Sequence, residues 1–447
     1  MSPPELREYQ KEGIAFLARY RRAILADEQG VGKTVQALMA ARQLHAERIL
    51  VVAPKSASGV WVMEAEKWLG EVATPYQGST RNYADLDSAP IVVTNYVLFK
   101  EVMARKPKWN VIIFDEAHKL RNRKRPTLFQ TALKAYSPNL FFLTGTPIFT
   151  SAGDLWPPLH LINPAQFRSY WKFVKEWTHI NYNGYGYQIL GTKHPERLQK
   201  ILYGEGLMLR RLKKDVMPEL PPKTRMSIPI EMHPKQRQAY ETMVNDLMIE
   251  LSEGDKVLTI PSKLALFTRL RQLLVSPKLI GLDTPSAAIN ALKEDLEGSN
   301  DAMLVFTPFA EALPILADEL KFRQTFIVRG GMTSEAIAGA VKGFQLFDGP
   351  KVLLASLLMG TSWAATEATQ VRFLGYDWSP ANNFQAEDRP HRHGQLNAVT
   401  VGYYVHEGTI DEHIMDILDE KTTVAKLILD THNFLLPRKR KGTYASS

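Results

Sequence analysis

Two stretches of the chain carry short apolar runs separated by longer amphipathic segments. In the first 150 residues the runs are 23–26 (AILA), 49–53 (ILVVA), 91–94 (IVVT), 111–114 (VIIF) and 140–143 (LFFL). They are rich in β-branched and aromatic residues and do not alternate with polar ones. That is the pattern of strands buried on both faces, as in a parallel sheet. Between the first two runs, Val35, Leu38, Met39 and Arg42 are spaced as on a helix. The rhythm returns with 303–306 (MLVF), 326–328 (FIV), 352–355 (VLLA), 371–374 (VRFL) and 401–405 (VGYYV). Residues 151–285 read as helical, with a proline-rich joint at 218–222 (PELPP) where a helix must break. The pattern predicts an α/β protein of two parallel-sheet lobes with helical insertions between them. Lobe 1 is expected over 1–150 with a helical insertion over 151–217. An interlobe linker and a helical insertion of lobe 2 occupy 218–285, lobe 2 spans 286–432, and a basic tail covers 433–447. The aromatic segment 169–187 (SYWKFVKEWTHINYNGYGY) reads as a helix packed on lobe 1 and then a glycine-rich turn. A base-stacking platform is the rarer alternative.

Composition narrows the field. The 447 residues are 45% hydrophobic and 23% charged, which excludes a wholly disordered chain. There is no cysteine, so disulfides, thiol nucleophiles and thiolate metal sites are excluded. A net charge of +8 permits a polyanionic partner without requiring one. The N-terminal MSPPELREYQKEG lacks the apolar core of a signal peptide, and no stretch reaches the ~18 apolar residues of a membrane span. A soluble intracellular protein with no membrane partner is expected.

The candidate chemistry lies at the ends of the predicted strands. Residues 26–34 (ADEQGVGKT) follow a strand and open a helix, the context of a phosphate-binding loop. Gly30 and Gly32 let backbone amides turn toward a phosphate, and the helix N-terminus adds its positive end. Lys33 suits the β- and γ-phosphates, and the Thr34 hydroxyl suits Mg²⁺. Asp27 stands where the usual loop has its first glycine. Residues 111–118 (VIIFDEAH) deliver two adjacent carboxylates to a strand end. There Asp115 suits the metal and Glu116 suits polarising an attacking water. Gln385, Arg389 and Arg392 have i, i+4, i+7 spacing and are expected on one face of a helix. Two guanidinium groups from lobe 2 would stabilise charge on a transferring phosphoryl group. The basic run 119–125 (KLRNRKR) could line a nucleic-acid track or a solvated loop, and the tail is read as a solubilising segment.

GKT followed by DEAH resembles the superfamily-two helicases, and the details resemble the Swi/Snf-type branch. Its phosphate loop begins with Asp-Glu, as in DEQGVGKT here. LREYQKEG is similar to its adenine-recognition pattern, FLTGTP (142–147) to its third motif, LRRLKKDVMPELPPKT (209–224) to its interlobe segment, and FQAEDRPHRHGQ (384–395) to its sixth motif. The compact core is most similar to the branch with annealing helicases and many bacterial and phage members. The resemblance implies two RecA-like lobes, ATP and Mg²⁺ as cofactors, and an ATP-driven motor on double-stranded DNA, forked or branched DNA included. It implies a DNA-associated location: cytoplasmic or nucleoid in a bacterial or infected cell, nuclear in a eukaryote. By the resemblance Gln10 contacts adenine and Arg7 supports it, and Asp27 and Gln385 belong to the nucleotide site. Lys55, Thr144, Gly145, Thr146 and Trp378 are implied DNA contacts. The usual glycine-rich fifth motif is altered to 359–365 (MGTSWAA), where Ser362 and Trp363 stand near the implied DNA track and predict weak coupling of DNA to hydrolysis. A strand-separating helicase and a DNA-binding scaffold with vestigial ATPase are the rival readings.

Overall fold

A computed structural model describes residues 5–78, 81–105, 108–122, 128–149, 151–182, 187–252, 260–357 and 363–429. Lobe 1 holds strands β1 (Arg22–Leu25), β2 (Ile49–Ala53), β3 (Thr74–Tyr76), β4 (Ile91–Asn95), β5 (Val111–Asp115) and β6 (Asn139–Leu143). A hairpin of β7 (Thr178–Tyr182) and β8 (Tyr187–Thr192) follows, and then β9 (Met208–Leu209). Lobe 2 holds β10 (Lys223–Ile230), β11 (Met303–Thr307), β12 (Gln324–Val328), β13 (Lys351–Ser356), β14 (Gln370–Phe373) and β15 (Val399–His406). The lobe 1 sheet runs β3-β4-β2-β5-β6-β1-β9 and the lobe 2 sheet β10-β15-β14-β11-β13-β12. Every pairing in both sheets is parallel.

The uninterrupted apolar runs are explained by burial on both faces. Along β5, Ile112 and Phe114 enter one core of lobe 1, while Val111 and Ile113 enter the core on the opposite face. Along β11, Leu304 and Phe306 face one core of lobe 2, and Met303 and Val305 face the other. At about 25 cal/mol per Å² of apolar surface, such a strand contributes strongly to stability and has little room for polar positions away from its end. The sheets therefore have the doubly covered, RecA-like form expected.

The middle of the chain departs from the helical expectation. The helix Tyr170–Trp177 forms as expected, but β7 and β8 pair antiparallel directly after it. β9 adds to the edge of lobe 1, pairing with β1, and β10 adds to the edge of lobe 2, pairing with β15. Pro229 sits within β10, which its edge position allows. Residues 218–222 thus bridge an edge strand of one sheet and an edge strand of the other. No helix among the described residues is long and apolar enough to cross a membrane.

Candidate nucleotide site in the interlobe cleft

The loop between β1 and the helix Lys33–Gln43 is shaped by its glycines. Gly30 and Gly32 have φ of 84° and 79°, in the left-handed region that side chains avoid. A Cβ on Gly32 would lie 2.6 Å from Gln10 Nε2, and one on Gly30 would lie 3.0 Å from Arg392 Cβ. The glycines therefore admit Gln10 on one side and the lobe 2 arginine on the other. Lys33 Nζ donates to the carbonyls of Asp27 (2.8 Å) and Glu28 (2.9 Å). Burial pulls its pKa down, against the charges of Glu116, Asp27 and Asp115.

Gln10 lies on the helix Glu8–Tyr20, and its Oε1 accepts from Arg7 N at 3.0 Å, satisfying one backbone donor at the helix start. The Arg7 side chain pairs with Glu219 beyond the joint. Tyr9 Oη donates to Val31 O at 3.1 Å, tying this helix to the glycine loop.

Asp115 ends β5, where Trp61 Nε1 donates to Oδ2 (2.9 Å) and Glu116 N to Oδ1 (3.0 Å). Burial and the neighbouring Glu116 push its pKa up to about 6. Glu116 adopts φ 51°, rare for a residue with a side chain and typical of functional sites. Its buried Oε2 makes no hydrogen bond of good geometry, although His118 Nδ1 stands 3.2 Å away. Burial opposes its ionisation, but contact with His118 and the charges of His118, Lys33 and Lys119 hold its carboxyl below the ordinary value.

Lobe 2 brings Gln385, Arg389 and Arg392 to the same place, but not on one helix. The helix Pro380–Glu387 ends before the arginines, which stand in the turns that follow. The i, i+4, i+7 spacing was a coincidence of register. The turn is held by lobe 2's core. Trp363, Phe306, Phe373 and Tyr403 form a file of stacked rings with centroids 6.2, 5.4 and 4.4 Å apart. At one end the Arg389 guanidinium lies 5.0 Å from the Trp363 ring centre and donates to Trp363 O at 3.2 Å. At the other end Tyr403 Oη donates to Glu387 Oε1 at 2.7 Å. Trp363 is thus a buried support of the arginine turn. Residues 359–362, with Ser362, lie outside the described residues, as do 123–125 of the basic run and the tail.

A cavity of about 780 Å³ collects these groups. Its walls include Gly30, Gly32, Lys33, Thr34, Asp115 and Glu116 from lobe 1, and Gln385, Arg389 and Arg392 from lobe 2. Gln10 and Arg7 are not among them, and neither is Asp27. Its fully buried carboxylate accepts from Arg211 N (3.0 Å), Nε (3.1 Å) and Nη2 (2.6 Å), so it anchors the interlobe segment beneath the loop. Thr144 and Gly145 are buried, with Thr144 Oγ1 3.3 Å from His118 Nδ1 and Gly145 O accepting from Arg210 at 3.2 Å. They link the His118 region to the interlobe segment, and Thr146 is half-buried beside them. Lys55 is exposed, near enough to Glu335 of lobe 2 for their charges to interact. Trp378 is half-buried, with the Arg271 guanidinium 5.4 Å from its ring centre.

The sequence did not single out the residues that tie the lobes together. Arg210, Arg211 and Lys213 of the interlobe segment reach the glycine loop and the arginine turn. Lys213 N donates to Glu28 Oε2 at 2.6 Å, while its Nζ meets His391 O at 2.6 Å and Asp388 Oδ1 at 3.0 Å. Lys223 pairs with both Asp388 (2.8 Å) and Glu387 (3.0 Å). The signal was a run of cations beside the joint with too few nearby acids, which requires partners distant in sequence.

Comparison with known proteins decides the family. The SNF2-related domain model matches residues 9–279, and the helicase conserved C-terminal domain matches residues 286–394. The chain belongs to the SNF2-related family of helicase-like ATPases. The mouse DNA annealing helicase and endonuclease ZRANB3 is 28% identical over 94% of the chain and 40% of that protein. Human chromodomain-helicase-DNA-binding protein 1 is 29% identical over 95% of the chain and 27% of that protein. The chain therefore spans well under half the length of these relatives. Among solved structures, the Sulfolobus solfataricus SWI2/SNF2 ATPase core in complex with dsDNA aligns over 95% of this chain and 93% of that one, at 22% identity and a TM-score of 0.45.

Proposed function

We propose that this SNF2-family ATPase is a translocase on double-stranded DNA that hydrolyses ATP in the interlobe cavity. The observation that carries the reading is the sharing of one cavity by Lys33, Thr34, Asp115 and Glu116 with Arg389 and Arg392 of the other lobe. Gln10 reads the adenine edge, and the glycine loop and Lys33 cradle the phosphates. Lys33 must leave the Asp27 and Glu28 carbonyls to do so, and its low-dielectric setting strengthens the new contact. Thr34 and Asp115 fit Mg²⁺, because a buried carboxylate with a raised pKa calls for a cation. A divalent ion held by one carboxylate and one hydroxyl needs no larger protein cage. Among the described residues no cluster of three or more His, Asp or Glu forms one. Mg²⁺ there supplies charge neutralisation of the phosphate oxygens. Glu116, with its ungrasped buried oxygen, orients the attacking water, and Arg389 and Arg392 stabilise the charge that develops.

The DNA partner is supported by the family and by relatives whose names describe DNA helicases. A motor tracking a backbone reads charge and not base edges, so binding should be nearly independent of sequence and fall steeply with salt. Lys55 and Thr146 at the cleft mouth are proposed backbone contacts, and Trp378 a lobe 2 contact. ATP should drive displacement of a third strand from a triplex but not release a strand from a simple tailed duplex. Strand release at a rate comparable with triplex displacement would instead identify an unwinding helicase.

A further inference from the structure

The hairpin of β7 and β8 carries a feature that the nucleotide site does not use. Tyr182 and Tyr187 are directly opposite each other across the two strands, with ring centroids 5.4 Å apart. Trp171, on the preceding helix, extends the row, 5.3 Å from Tyr187. The three rings are 42%, 60% and 56% exposed for Trp171, Tyr182 and Tyr187. Cross-strand aromatic pairs stabilise a hairpin, and here the paired rings also keep more than half of their surface exposed. A contiguous row of exposed aromatics is a contact surface.

The charge around the row says what it contacts. Residues 168–200 hold six Lys and Arg (Arg168, Lys172, Lys175, Lys193, Arg197, Lys200) against two Glu (Glu176, Glu196). That is a net +4, half of the chain's +8, in 33 residues. Glu176 is paired with Arg197, and among the described residues Lys172, Lys175 and Lys193 enter no ion pair. Lys175 and Lys193 are brought together where Lys193 Nζ donates to Lys175 O at 3.4 Å. Cations beside exposed aromatic faces fit a polyanion with its own π faces. Bases offer those faces only when unpaired, so the surface suits a single strand and not the interior of a duplex.

The position ties this surface to the motor. The middle of β8 and the start of the preceding helix lie near Gly153, where an added Cβ would lie 3.6 Å from both Ile189 Cδ1 and Tyr170 Oη. Gly153 follows the Thr144–Thr146 loop that touches His118. We propose that Trp171, Tyr182 and Tyr187 form a stacking platform for unpaired bases, so that the enzyme favours duplex DNA flanked by a single strand. The inference rests on the DNA-translocase reading, whose partner it narrows from duplex to branched or tailed duplex.

Fluorescence anisotropy with a blunt duplex and a duplex of equal length bearing a dT arm tests it. Wild type binds the tailed duplex at least about tenfold more tightly, since stacking on one aromatic changes affinity by roughly five- to 150-fold. W171A/Y182A/Y187A abolishes most of that preference while keeping blunt-duplex binding, and W171F/Y182F/Y187F retains it. Titration of wild type with oligo-dT quenches tryptophan emission, and W171F loses the larger part of the quench while still binding. A preference unchanged in the triple alanine variant overturns the proposal. So does equal binding of both DNAs by wild type, and in that case the translocase reading stands. Failure of wild type to bind or respond to either DNA overturns the translocase reading and this proposal with it.

Discussion

The glycine loop of lobe 1 and the arginine turn of lobe 2 face one cavity, yet they are shaped by opposite means. The loop is set locally: a strand enters it, a helix leaves it, and Gly30 and Gly32 supply the two left-handed positions. The turn is set from a distance. Lys213 and Lys223 grip Asp388, Arg225 and Tyr403 grip Glu387, and Trp363 carries Arg389. The backbone path of the loop is written in its own glycines, although the interlobe segment also meets it at Asp27 and Glu28. A turn of the second kind responds to whatever moves the interlobe segment, and so suits the lobe that must be brought to the nucleotide.

If both halves belong to one site, the largest effect is expected across the cleft. Arg389→Ala or Arg392→Ala should lower kcat by about 10³-fold, with little change in nucleotide affinity. Equilibrium binding of a fluorescent nucleotide beside steady-state hydrolysis separates the two. Normal hydrolysis by both variants would remove the turn from the site. In lobe 1, Lys33→Ala and Glu116→Gln should each cost at least about 10²-fold in kcat. Glu116→Gln should still bind ATP because Asp115 is intact, and near-normal turnover would remove Glu116 from the mechanism.

The remote support of the turn should show itself in stability. Asp388→Asn leaves Lys213 buried beside a neutral partner and Lys223 with Glu387 alone, and should destabilise lobe 2 by about 3 kcal/mol, read from urea unfolding. The pH dependence has a definite sign. Burial alone would raise the Asp388 and Glu387 pKa values, but Lys213 and Lys223 beside Asp388, and Lys223 and Arg225 beside Glu387, hold both below the ordinary range. Their contribution is therefore full above about pH 5 and is lost as pH falls below about 4. Asp388→Asn should flatten that loss, and an unchanged acid profile would show that the network adds nothing. The smallest effect is expected at Trp363. Leucine there removes the cation–π support and should reduce kcat by about three- to thirtyfold, while phenylalanine should retain more of it. A rise in DNA stimulation for Trp363→Leu would favour the older idea of a damaged coupling motif.

What the sequence made legible follows the same division. Central strands such as β5 and β11 were plain because burial on both faces forces continuous apolar runs. The edge strands β3, β9 and β10 were not, since they need no such run and two of them contain proline. Lys33 and Thr34 could be read because a strand, a glycine loop and a helix follow one another within a few residues, and Asp115 and Glu116 because they end an uninterrupted apolar strand. Asp27 could not, because its role depends on Arg211, and Trp363 could not, because its role depends on Phe306 and Arg389. The arginines were assigned to the cavity by resemblance, while the helical face invoked for them did not exist.

Steady-state ATP hydrolysis by wild type and by Arg389→Ala, each with and without a blunt duplex, tests the central claim most directly. The account predicts that duplex raises wild-type turnover several-fold and leaves Arg389→Ala near its low basal rate, because DNA acts by seating the lobe 2 turn on the nucleotide. Equal stimulation of both proteins, or wild-type turnover indifferent to duplex, would contradict it.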